Sequence, residues 1–282
     1  MKKVCLLLLS IILFSTCKDP SNKNNSTPQN AMNTINNPLL AESTLPYGVP
    51  DFTKIKNSHF QEALRQGMEE KRGAIEKIAN ETQVATFENT ILALEKSGSL
   101  LERVQNVFSA LTGAHTNDTL QAVQEEMAPK FSELRDAIYL NEKLFQRVKT
   151  LHSLGLDSES LKLLENYFED FEIAGANLSS EDKETLKTYN SRLATLSNTF
   201  NKTLLEANNA GALLFNDKLE LAGISETDLK SLKNGEDGGW KLPLQNTTQQ
   251  PLLQVLEKRA TREKLFNAAW YRTDGSSHDT KA

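Results

Sequence analysis

From about residue 57 onward, apolar residues recur three or four positions apart, the spacing that puts them on one side of an α-helix. A first helix is predicted from about Asn57 to Asn80, with Phe60, Leu64, Met68, Ile75 and Ile78 on or near one side. Thr86 caps the next, in which Phe87, Ile91 and Leu94 follow at helical spacing. Gly98 supplies its C-terminal stop or a kink. Leu100, Leu101, Val104, Val107, Phe108 and Leu111 continue an apolar face. Asn117 and Asp118 open another long stretch through Leu120, Val123, Met127, Phe131, Leu134 and Ile138, which Pro129 is expected to kink or divide.

The second half repeats the pattern. Asp157 can cap a helix carrying Leu161, Leu164, Phe168 and Phe171. Ser179 or Ser180 can cap the next, with Glu181 and Asp182 in its first turn, where acids meet the positive end of the helix dipole. Leu186, Tyr189, Leu193, Leu196 and Phe200 on that helix alternate spacings of three and four, a short coiled-coil-like seam. Gly211 ends it. All these stripes are read as helix packing. Ala212–Phe215 and Trp240–Leu244 read as two short strands around a small helix at about Ser225–Lys233. Pro251 suits the first turn of a final long helix, whose side is formed by Leu252, Leu253, Val255, Leu256, Leu265, Phe266 and Trp270. The fold class is therefore all-α, with one short strand pair near 212–244.

Before residue 57 the texture differs. Residues 38–52 carry three prolines and read as an extended lead-in. Residues 17–37 are rich in Asn, Ser, Thr and Pro, with Met32 and Ile35 as their larger apolar residues. Such a segment cannot offset its ordering entropy by burial and reads as a flexible tether. At the start, Lys2 and Lys3 precede an apolar run from Val4 to Phe14 that only Ser10 interrupts. The run falls short of the roughly twenty residues a spanning helix needs, so residues 1–16 read as a signal peptide. Phe14-Ser15-Thr16-Cys17 resembles the lipobox of bacterial lipoproteins, with Phe14 where a branched apolar residue is usual. Cys17 is therefore the expected lipidation site, and the protein an exported, membrane-anchored lipoprotein on the periplasmic or surface face of a bacterial envelope.

Charge and composition narrow the chemistry. The net charge of -5 becomes -7 once Lys2 and Lys3 leave with the signal, which offers no footprint for nucleic acid. The two cysteines are Cys5 and Cys17, so nothing beyond the anchor can form a disulfide. The four histidines, His59, His115, His152 and His278, are scattered, and none begins the His-Glu-x-x-His pattern that places two imidazoles and a base on one helix side. Nucleophile elbows and phosphate loops are absent. Acid pairs such as Glu69-Glu70 and Glu125-Glu126 read as solvated helix faces. No catalytic residue and no metal ligand is assigned to this chain.

Function comes from resemblance. NPLLAESTLPYGVPDF at 37–52, TFENTILALEKSG at 86–98, AHTND at 114–118, IYLNEKLF at 138–145, SLGLDSES at 153–160, AGANLS at 174–179, LPLQNTTQQP at 242–251 and KRATREKLFNAAW at 258–270 resemble, in this order, the N-terminal region of bacterial peptidyl-dipeptidases of the thimet oligopeptidase family. The resemblance implies the N-terminal part of a two-lobed helical zinc metallopeptidase, a hydrolase that releases C-terminal dipeptides from short peptides. It implies that the zinc and its ligands belong to the other half, that residues 38–282 help wall the substrate channel, and that the chain alone is inactive. HDTKA at 278–282 resembles the lead into a further helix, as in a chain cut before its catalytic half. Apolar surface is then expected near Phe266 and Trp270. The alternative is a stand-alone helical lipoprotein that binds peptides or a protein partner without cleaving them.

Mass spectrometry of membrane-extracted protein should find an acylated N-terminal cysteine at position 17. Cys17→Ser should release the protein or leave it unprocessed; unmodified chains beginning before Cys17 would count against the anchor.

Overall fold

The computed structural model describes residues 37–152, 155–234, 238–274 and 277–281. The expected signal peptide, Cys17 and all of the tether except Asn37 lie outside the described residues. Pro38 opens a compact unit that runs through the rest of the described residues.

The prolines act as anticipated. Pro38–Leu40 and Pro46–Gly48 are single tight turns in an otherwise irregular lead-in. Leu39 is buried, and the Arg103 guanidinium donates to its carbonyl at 3.4 Å. Helix α1, His59–Ala79, buries Phe60, Leu64, Ile75 and Ile78. After it, Thr86 and Asn89 cap one another: the Asn89 amide donates to Thr86 Oγ1 at 3.2 Å, and the Thr86 amide to Asn89 Oδ1 at 2.8 Å. The turn they start, Glu88–Leu92, is wide, with the Leu92 amide reaching back to Phe87 at 2.9 Å, before α2, Ala93–Glu95. Gly98, at φ 79°, then starts α3, Ser99–Ala114.

Helices α1 and α3 pack closely because Gly67 lies between them. A Cβ on Gly67 would stand 2.8 Å from Leu101 Cα, a backbone atom that cannot step aside. Around this contact Phe60 meets Phe108 at 5.3 Å between ring centroids, and Val104 and Leu64 are fully buried. Each such side chain contributes about 1.5–3 kcal/mol relative to exposure.

Helix α4, Asp118–Tyr139, is capped by Asn117, whose side chain accepts from the Leu120 amide at 3.1 Å. Pro129 does not divide it. Proline removes one donor, and the burial of Met127 and Leu134 on either side holds the helix continuous. The periodicity assigns nothing between Ile138 and Asp157, yet α5, Glu142–Leu151, forms there behind an Asn141 cap. Arg147 on α5 fixes the preceding loop by donating to the carbonyls of Glu81 and Gln83, each at 3.0 Å, and to Asn89 Oδ1 at 2.8 Å. Helix α6, Ser158–Ile173, starts at Asp157 as anticipated. Its Phe171 stacks on Phe145 of α5 at 5.5 Å and meets Tyr139 edge-on.

Helix α7, Ser180–Ala210, begins at Ser179, whose hydroxyl oxygen accepts from the Asp182 amide at 3.1 Å, and ends at Gly211. Its seam does not pack inward. Tyr189, Leu193, Leu196 and Phe200 are 65%, 63%, 50% and 49% exposed, and Leu186 is half-buried. The helix lies along α4 through a different side, where Asn190, Ala194, Asn198 and Leu205 are half-buried.

The final part has its own core of Phe215, Leu221, Ile224, Leu229, Leu242, Leu244, Leu252, Leu256, Leu265 and Ala269. Strand β1, Leu213–Phe215, pairs antiparallel with β2, Trp240–Leu242, in the register Leu214 to Lys241, with α8, Glu226–Ser231, between them. The single final helix is instead two: α9, Asn246–Val255, contains Pro251 well inside it, and α10 is Arg259–Trp270. The break is made by tertiary contact. The Glu257 amide donates to Ala222 at 2.9 Å, and Arg262 clasps the Leu256 and Glu257 carbonyls at 2.6 and 2.7 Å. Gly223, at φ 100°, leaves room for the Val255 carbonyl there. Val255, Phe266 and Trp270 are exposed, and the last two stack at 5.7 Å. The fold is thus all-α apart from one strand pair. Among the described residues no helix is long and apolar enough to cross a membrane.

Two glycines of α1 should respond oppositely to alanine. Gly67→Ala forces the α1–α3 contact apart and should lower unfolding free energy by about 1–3 kcal/mol. Gly73→Ala meets open space and should raise it by about 0.5–1 kcal/mol, the helix-propensity gain. Urea denaturation of both variants checks the pair; equal effects would remove the close-packing argument.

Candidate functional site

The four histidines are placed far apart in role. His59 is the first residue of α1, its Nδ1 accepting from the Lys56 amide at 3.1 Å, and burial followed by the Lys56 charge holds its pKa below the usual range. His115 follows the end of α3. His152 closes α5 with its ring edge-on to Phe168 at 4.4 Å. His278 lies 4.0 Å from the Glu206 carboxylate. Among the described residues no three His, Cys, Asp or Glu side chains form a group able to hold a metal ion. The acid pairs are surface features: Glu125 faces Lys202 at 3.4 Å, and Glu126 pairs with Lys130 at 2.5 Å, which with the Gln61 bond lowers its pKa.

What the helices do form is a cleft of about 440 Å³ between α4, the end of α6 and α7. Phe131, Tyr139, Ile173 and Leu193 give it apolar walls; Arg135, Asp136 and Asn190 give it polar ones. Asp136 is buried and its Oδ1 accepts from Asn190 Nδ2 at 2.7 Å. Burial pushes its carboxyl pKa up, against the Asn190 hydrogen bond and the charges of Lys187 and Arg135. The Arg135 guanidinium stands 5.8 Å from the Tyr139 ring centre, and burial also raises the Tyr139 pKa. This set can hold a polar group against an apolar wall. Peptide hydrolysis needs an activated nucleophile with a base beside it, and the cleft offers one carboxyl already engaged by an amide. Asp136 is not evident from the sequence, since one acid on a helix is usually solvated; its place four residues after Ser132 and three before Tyr139, on the side of α4 that lines the cleft, is the available signal.

Sequence comparison finds similar proteins. The chain is 48% identical over 259 residues to dipeptidyl carboxypeptidase of Escherichia coli (strain K12), covering 88% of this chain and 38% of that protein. The chain is similar in sequence to part of dipeptidyl carboxypeptidase. It is 46% identical over 256 residues to dipeptidyl carboxypeptidase of Salmonella typhimurium, and 26% identical over 256 residues to oligopeptidase A of Escherichia coli. No family model matches the chain. The resemblance to peptidyl-dipeptidases is borne out, and the chain spans about 38% of the length of the dipeptidyl carboxypeptidases it matches.

Asp136→Asn tests the electrostatics of the cleft. The folded-state pKa lies above the unfolded value of 3.8, so folding favours the protonated acid. The penalty for the charged form is complete above the folded pKa and disappears below the unfolded one. An asparagine keeps an acceptor for Asn190 without the charge. The variant should therefore be the more stable at neutral pH, by an amount that shrinks as pH falls toward 3. Thermal melts across that range check it; a variant less stable at neutral pH would contradict the sign.

Proposed function

We propose that this chain supplies a non-catalytic, helical part of a zinc peptidyl-dipeptidase that releases C-terminal dipeptides from short peptides, and that residues 38–282 help wall its substrate channel. The 48% identity to dipeptidyl carboxypeptidase over 88% of the chain carries this reading. The zinc is assigned to the rest of such an enzyme, where it would activate water for attack on the scissile carbonyl. The described residues here do not fit the metal, because no three ligands converge, so no catalytic step is derived through them. Their part is to shape and dry the channel, which keeps folded proteins from the reaction centre. The basic start, apolar run and Cys17 support export as a lipid-anchored protein on the periplasmic or surface face of a bacterial envelope. The second reading, a lipoprotein that binds peptides without cleaving them, draws on the α4–α7 cleft.

A chimera distinguishes these readings. This chain replaces its matched stretch in the Escherichia coli dipeptidyl carboxypeptidase. The chimera should release C-terminal dipeptides in a chelator-sensitive way, while the chain alone releases none and retains no stoichiometric zinc. A folded but inactive chimera would overturn the peptidase reading. Zinc and dipeptide release by the chain alone would show that it carries an active site.

A further inference from the structure

The outer side of α7 is built like an interior. Tyr189, Leu193, Leu196 and Phe200 are exposed along it at spacings of four, three and four. From Thr188 to Asn201, Arg192 is the sole charged residue, with acids and lysines confined to the two ends of the helix. The threonines between the apolar residues add little polarity. The hydroxyls of Thr188, Thr195 and Thr199 donate to the carbonyls of Glu184, Ser191 and Thr195 at 3.2, 3.1 and 3.0 Å, and so are already satisfied by their own helix. A helix face that meets water normally carries charge, and a contiguous exposed apolar strip marks an interaction surface. The alternating spacing specifies the shape of what covers it: a second helix crossing at a shallow angle, with side chains interlocking along the seam.

The relatives indicate where that helix comes from. The match takes in 88% of this chain, yet more than half of each dipeptidyl carboxypeptidase lies outside it. The adjoining side of α7, bearing Asn190, Ala194 and Asn198, is already occupied by α4, and Leu193 stands at the edge of the cleft between them. We infer that the Tyr189–Phe200 face of α7 is the seat of an apolar-faced helix from the larger, remaining part of a dipeptidyl-carboxypeptidase-type chain. The inference rests on the peptidase reading above, and makes α7 the joint between the two parts, with α4 on one side and the remaining part on the adjoining one.

The experiment compares one substitution in two settings. Leu196→Cys is introduced into the full chain and into the chimera, and thiol labelling at position 196 is followed by mass spectrometry of the peptide that carries it. Labelling should be fast in the chain alone and slower by about tenfold or more in the chimera, as for a site reached only through opening. Leu196→Glu should leave the melting of the chain alone nearly unchanged, because that side chain already meets water and lies outside the α4–α7 cleft. In the chimera it should lower the melting temperature and speed opening, and the milder Leu196→Ala should do so in smaller measure. Equal labelling in both settings, with dipeptide release intact, would sink the joint and leave the peptidase reading standing. A protected position 196 in a folded chimera that releases no dipeptide would sink the peptidase reading and keep the joint. Protection that appears in the chain alone as its concentration rises would overturn the inference in favour of pairing between copies of this chain.

Discussion

Asp136 on α4 must find a donor because it is buried, and Asn190 on α7 supplies it at 2.7 Å. That bond goes with the choice of which side of α7 meets the core. At about 100° per residue, Tyr189, Leu193, Leu196 and Phe200 fall about 60–120° to one side of Asn190, so with Asn190 toward α4 Leu193 borders the cleft and the row as a whole is left largely exposed. The contact surface is then made of small and polar residues such as Ala194 and Asn198, reinforced at its far end by Lys202 and Glu125. A helix packed through amides and alanines keeps its strongest apolar residues for something else. The cleft, the exposed seam and the raised pKa of Asp136 all follow from this single orientation.

The remaining core is held in a more ordinary way. α1 and α3 meet backbone to backbone at Gly67, and the Phe145, Phe168 and Phe171 rings join α5 to α6. Arg147 ties the loop before α2 to α5 with three hydrogen bonds that a lysine's single ammonium could not reproduce in the same geometry. These contacts make a platform rigid enough to present α7. A support with one nearly uncharged apolar face suits packing against something further.

Local chemistry made most elements legible in the sequence. Asn117, Asp157, Ser179 and Ser225 each accept a backbone amide at a helix start, and a short polar side chain before an apolar period needs no tertiary help to be recognised. The strand pair was legible for the same reason, since its apolar pieces are bounded by Asn, Asp and Gly. α5 was passed over because only ten residues separate its Asn141 cap from its end, too short a run to establish a period against its neighbours. The division of α9 from α10 was hidden because it is made by Ala222 and Gly223, more than thirty residues earlier in the chain.

The sequence by itself determined where most of the helices lie, how most of them start, the all-α class, and the similarity to dipeptidyl carboxypeptidase. Each of these rests on neighbours along the chain or on residue identity read in order. Only the tertiary structure decided which side of a helix is inside. Periodicity shows that Leu186, Tyr189, Leu193, Leu196 and Phe200 share a face; it carries no information on what that face meets. Solvent or partner is settled by the neighbouring helix, and α4 takes the side of α7 that bears Asn190. The same holds for Asp136, whose burial and pKa are properties of the packed pair and not of α4 alone.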